Sequence, residues 1–196
     1  MPSSIDQVTE AAQPYSRAKK SYTYDDYAKL PEGSGYQLVE GEIIMTPAPG
    51  RKHQRITGRL YKLLDDFVEQ NQLGEVANAP RDVYLAPRET YQPDILFISQ
   101  NRIDISAEDK VNGAPDLVVE VLSPSTGYYD LKPKYRAYEK YGVQEYWIVD
   151  PEEKSIEIYR LQNQTFTLVD RKLSAGKVAS HILPGFTVSL AGLFPE

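Results

Sequence analysis

Four side chains in this chain of 196 residues have types and spacing that could do chemistry: Glu120, Lys134, Asp94 and Glu42. Glu120 sits inside the run PDLVVEVL, between Val118, Val119, Val121 and Leu122. A short β-branched run stopped by Ser-Pro-Ser-Thr-Gly reads as a strand buried on both faces. A carboxylate there is expensive unless a cation pairs with it or a metal binds it. The next segment supplies a cation. Leu131, Lys134, Tyr138 and Tyr141 follow helical spacing, so Lys134 falls on the inward stripe while Lys132, Arg136 and Lys140 face water. Asp94 follows Pro93 at the head of another β-rich run. Two carboxylates converging from neighbouring strands suit a hard cation such as Mg²⁺ or Mn²⁺. Such an ion holds a phosphate oxygen and lowers the pKa of a bound water, and a nearby lysine orients that water or offsets developing charge. Glu42, just after Gly41, is a further candidate for the same group.

Each residue also has a plainer reading. A lone buried glutamate is as often paired with a backbone donor or a lysine as it is functional. A lone helical lysine commonly snorkels to solvent, and an aspartate after proline is a common strand-start turn residue. Asp116 also follows a proline. It lies on the Glu120 strand four residues away, roughly 13 Å at extended rise, too far to share one metal; Asp94 is therefore preferred.

The elements that must position these groups can be read in order. Residues 1–20 are polar, without periodicity, and are expected to form a mobile tail preceding one domain over 21–196. Thr23, Asp25 and Asp26 suggest a short capped helix ending near Pro31. YQLVEGEIIMTP is a strand candidate that Gly41 interrupts, as at a bulge. A long amphipathic helix is expected from about His53 to Leu73, with Ile56, Leu60, Leu63, Leu64, Phe67 and Val68 on its apolar stripe. His53 extends that stripe, and Arg51, Lys52, Arg55, Arg59 and Lys62 make this half of the helix basic. GEVANA, RDVYLAP and YQPDILFIS read as three strands, followed by a polar connection with room for a short helix. After the Glu120 strand, Asp130 is a plausible cap, with Pro133 in the first turn and Gly142 as the stop. EYWIVD completes a strand–helix–strand unit. The remainder is a meander ending in an apolar C-terminus.

Composition narrows the class. With 41% hydrophobic and 26% charged residues the chain is an ordinary globular α/β domain with a mixed sheet. A net charge of -6 argues against indiscriminate nucleic-acid binding, although two locally basic helices could still meet a phosphate backbone. The absence of cysteine excludes disulfides and thiolate metal sites and fits a cytoplasmic location. No run approaches a membrane span, and the N-terminus lacks the apolar core of a secretory signal.

Taken together, GYQLVEGEIIMTPAPGRKHQRITGRLYKLL, QPDILFI, GAPDLVVEVLSPST, DLKPKYRAYEKYGVQEYWIVDP and LPGF closely resemble the Uma-type family of endonucleases, from about Tyr22 to Phe194. That family belongs to the PD-(D/E)xK superfamily, and the resemblance implies a restriction-endonuclease-like mixed β-sheet flanked by helices. It implies Asp94 as the PD aspartate and Glu120 as the (D/E) residue. Leu122 stands where the superfamily lysine should be; in the Uma-type family the lysine lies on the following helix, which maps to Lys134. Glu42 and His53 match family positions as supporting residues, Glu42 as a metal or water ligand and His53 near the scissile phosphate. The implied activity is Mg²⁺- or Mn²⁺-dependent hydrolysis of DNA, with the Val121 carbonyl completing the metal shell. A homodimer would supply two centres. An inactive nucleic-acid-binding or assembly protein keeping this frame, or a nuclease acting on RNA or branched DNA, remains open.

Overall fold

The computed structural model describes residues 21–31, 35–123 and 127–194, without the side chains of 127–130. The tail expected over residues 1–20 lies outside them. The first helix, α1 (Tyr24–Tyr27), starts behind Thr23, whose N–H donates to the Asp26 carboxylate at 3.1 Å. Strands β1 (Tyr36–Val39) and β2 (Glu42–Met45) form a hairpin with Val39 opposite Glu42. The expected bulge at Gly41 is instead the turn of this hairpin. Glu40 and Gly41 both have positive φ, 50° and 80°, as a two-residue turn matched to strand twist requires.

Helix α2 runs Arg51–Gln70, two residues earlier than expected, and buries Ile56, Leu60, Leu64 and Val68. Leu63 departs from the expected stripe and is 45% exposed, because Leu60 and Leu64 already define the inward face. Then come β3 (Gly74–Asn78), β4 (Asp82–Ala86), β5 (Glu89–Tyr91) and β6 (Ile95–Ser99). The run YQPDILFIS is therefore two strands in different sheets. Pro93 lacks the donor a continuous ladder needs, and the chain crosses between sheets at that point. The connection Gln100–Ile105 is a 3₁₀ helix, and β7 (Lys110–Asn112) is a short strand not anticipated in so polar a segment.

Strand β8 (Leu117–Val121), helix α3 (Gly127–Tyr141) and β9 (Glu145–Asp150) make the expected strand–helix–strand unit, with β8 and β9 parallel. Helix α3 starts before Asp130, which is therefore not its cap; Pro133 falls in the second turn. Gly142 ends the helix at φ 91°, and the N–H groups of Gly142 and Val143 both reach the Tyr138 carbonyl, at 3.1 and 3.0 Å. Strands β10 (Ser155–Gln162) and β11 (Thr165–Leu173) continue the meander, and β12 (Lys177–Ala179), β13 (Thr187–Ser189) and α4 (Leu190–Leu193) close the chain.

The main sheet has six strands in the order β11-β10-β9-β8-β6-β3, and a second has five in the order β2-β1-β5-β4-β7. Both are mixed: the pairs β8/β9 and β4/β7 are parallel. Alternation along β8 divides the core. Leu117, Val119 and Val121 pack with α2, Trp147 and the C-terminal elements. Val118 packs with Tyr91, Tyr138 and Tyr146 beneath α3. Glu120 shares the parity of Val118 and so faces the α3 side. Among the described helices none is long and apolar enough to cross a membrane.

Candidate active site

The carboxylates are brought together by strand register. In the antiparallel β6/β8 pair Ile95 lies opposite Val119, so the next step along the ladder sets Asp94 beside Glu120. Asp94 Oδ2 accepts the Val121 N–H at 2.7 Å and faces His53 Nε2 at 3.1 Å. One carboxylate thus ties β6, β8 and the start of α2 together. On the other side of Val121, Glu120 receives three hydrogen bonds from α3. Lys134 Nζ is 2.8 Å from both Glu120 oxygens, and Tyr138 donates to Oε1 at 2.9 Å. The donors lie four residues apart on the helix and so share a face.

Burial makes these contacts strong. The Glu120 side chain is 8% exposed and that of Lys134 13%. Desolvation pushes the Glu120 carboxyl above its ordinary range; Lys134 opposes the shift, and the negative charge of Asp94 adds to it. His53 shows the converse balance. Burial works against its protonated form, yet the hydrogen bond and charge of Asp94, a backbone hydrogen bond with Val121 and the charge of Glu120 hold its pKa above the ordinary 6.5. Thr57 Oγ1 lies 3.4 Å from the other ring nitrogen.

His53 therefore links stability to pH with a definite sign. A raised folded-state pKa means that the folded protein binds the proton more tightly, so the contribution is fully present below the unfolded value of about 6.5 and is lost as pH rises through the folded value. Comparing wild type with His53→Gln by urea unfolding across this range, the stability gap is expected to narrow as pH rises.

Glu42 is half-buried opposite Val39 in the edge hairpin of the second sheet, and Val39 packs with Tyr91 and Tyr138. The basic residues of α2 are partly spent on structure. Lys52 pairs with Glu152 at 2.8 Å, Lys62 with Asp66, and Arg59 donates to the carbonyls of Gly192 and Leu193. Arg51 and Arg55 are exposed. Tyr138 was legible only as a core residue, although its spacing from Lys134 marked the shared face.

Asp116 is structural. Its carboxylate accepts the Ser99 N–H and hydroxyl at 2.8 Å each and Arg102 Nη1 at 2.7 Å. Asp116→Ala is expected to lower stability by about 1–3 kcal/mol, measured by urea unfolding, while leaving any hydrolysis by the folded fraction unchanged.

The fold is that of a nuclease-like mixed α/β domain. A crystal structure described as "a putative nuclease belonging to DUF820", from Anabaena variabilis ATCC 29413, shares this fold with a TM-score of 0.73; at 23% identity the match covers 88% of this chain and 97% of that one. The chain belongs to the Uma2 family, described as "Putative restriction endonuclease", whose pattern matches residues 24–191. A further relative, "Uncharacterized protein sll1609" of Synechocystis sp. (strain ATCC 27184 / PCC 6803 / Kazusa), is 28% identical over 116 residues, 58% of this chain. The match spans 65% of that relative's length.

Proposed function

We propose that this protein hydrolyses phosphodiester bonds in DNA with Mg²⁺ or Mn²⁺, held by Asp94, Glu120 and the carbonyl of Val121. The observation that carries the reading is the apposition of Asp94 and Glu120 across adjacent strands with an ammonium at both Glu120 oxygens. The donor set is oxygen only, which suits a hard cation. Among the described residues no three His, Asp or Glu side chains cluster as a complete metal cage. Two carboxylates and a carbonyl suit Mg²⁺, which keeps water and phosphate oxygens in its shell. When bound, the ion would supply a polarised phosphate and a more acidic water.

The chain's own residues do the rest. Lys134 offsets the charge of Glu120 and orients the attacking water; Tyr138 fixes the Glu120 carboxylate. His53 holds Asp94 in place and presents a positive charge toward the scissile phosphate, while Glu42 is assigned a supporting role in placing metal or water. Arg51 and Arg55 offer exposed charge for the DNA backbone. A pair of chains would supply the two centres needed to cut both strands.

The test is incubation of duplex DNA, single-stranded DNA and RNA with the protein in Mg²⁺, Mn²⁺ or EDTA. DNA fragments are expected only with metal and only from protein retaining Asp94; cleavage in EDTA, or undiminished cleavage by Asp94→Ala, contradicts the assignment. The Lys134 bridge across both Glu120 oxygens favours one rival, an inactive nucleic-acid-binding protein in which the ammonium has replaced the ion. DNA binding without cleavage in either metal would establish that rival.

A further inference from the structure

A cavity of about 430 Å³ opens at the carboxyl ends of the parallel strands β8 and β9, against the outer half of α3. No step of the proposed hydrolysis uses it. Its apolar wall comprises Leu122, Leu131, Tyr135, Ile148 and Tyr159. Leu122 follows Val121 directly, and Leu131 lies one helical turn before Lys134, so the cavity adjoins the Asp94–Glu120 centre. Openings beyond the carboxyl ends of parallel strands are the usual place for ligands in α/β sheets.

The polar groups of the cavity are not all engaged. Glu157 is occupied, by Arg171 at 3.3 Å and by the Tyr159 hydroxyl at 2.7 Å. Among the described residues Asp150 spends only Oδ1, on the N–H groups of Glu152 and Glu153. Ser155 is 5% exposed and lines the cavity. Arg136 lies on the rim, exposed and in no ion pair among the described residues.

We propose that this cavity receives one unpaired nucleobase carrying an exocyclic amino group, from a nucleotide next to the cleaved phosphodiester. The inference rests on the nucleic-acid reading above. Two tyrosines and an aliphatic floor suit a planar, mostly apolar ring. The free Asp150 oxygen accepts from an amino group, as carboxylates do from cytosine N4, and the Ser155 hydroxyl completes the edge. Arg136 on the rim meets the phosphate of that nucleotide. An extrahelical base held here keeps its phosphodiester beside the carboxylates.

The experiment is fluorescence anisotropy of the full chain, in EDTA, with a short DNA duplex that is either fully paired or carries a single bulged C, A, G or T. Bulged C, A or G is expected to bind about tenfold more tightly than the paired duplex and more tightly than bulged T. Ile148→Trp, which fills the cavity, is expected to abolish the preference. If circular dichroism shows that variant unfolded, Leu131→Trp fills the same space from the helix side. Equal affinity for paired and bulged duplexes, or a preference that survives a folded cavity-filling variant, overturns the proposal. Metal-dependent cleavage by a protein without bulge preference leaves hydrolysis standing and removes only the base site. Bulge preference without cleavage in any metal does the reverse, and absence of all DNA binding overturns both.

Discussion

Glu120→Gln is expected to fold normally and to lose metal-dependent hydrolysis by about a thousandfold or more. The substitution keeps the volume of a side chain that is 8% exposed in a packed strand, and its amide oxygen can still accept from Tyr138 or Lys134. What it removes is charge, from one of the two carboxylates proposed to hold the metal. Glu120→Ala is a harsher change, since it leaves the Lys134 ammonium and the Tyr138 hydroxyl without their shared acceptor. Lys134 retains some access to solvent and can partly relax outward, which limits the penalty. The check is a cleavage assay paired with urea unfolding. Loss of activity with the midpoint retained is expected for Gln, whereas activity near wild type would show that the Glu120 charge has no part in the reaction.

The largest effect on stability is expected far from the chemistry, at Glu145. This carboxylate opens β9, is fully buried, and accepts the Trp147 indole N–H and the His181 backbone N–H, each at 2.7 Å. It joins the central sheet to the segment between β12 and β13. Glu145→Ala leaves both donors buried without partners and is expected to lower stability by about 2–6 kcal/mol. Glu145→Gln can satisfy one donor but turns its amide nitrogen toward the other, so an intermediate loss is expected. Urea unfolding of the three proteins measures the series; a loss for Ala no greater than that of an exposed substitution would contradict the bonding described.

Much of the site was legible before any coordinates, for identifiable reasons. A carboxylate in a β-branched run and a lysine on an apolar helical stripe are both costly locally, and the cost is resolved by their pairing. Asp94 was preferred over Asp116 from strand rise alone, and Asp116 is engaged by Ser99 and Arg102. What stayed hidden depends on partners distant in sequence. His53 and Asp94 are 41 residues apart, and His181 lies 36 residues beyond Glu145. The division of strands between two sheets is likewise long-range: YQPDILFIS carries strand propensity throughout, and only the break at Pro93 hints that its halves pair differently. The turn at Glu40–Gly41 was misread because one glycine in a β-rich run serves a bulge and a tight hairpin equally well. Helix α3 begins at Gly127, earlier than a cap at Asp130 would allow, and so places Pro133 in its second turn.

The central claim is that Asp94 and Glu120 form one divalent-metal site, and calorimetric titration with Mn²⁺ tests it without requiring a substrate. Wild type, Asp94→Ala and Glu120→Gln are compared at one pH and ionic strength, so that diffuse binding to a chain of net charge -6 is common to all three. One saturable site in the wild type, absent from both variants, is the expected result. Identical titrations for all three, repeated in the presence of DNA, would contradict the claim.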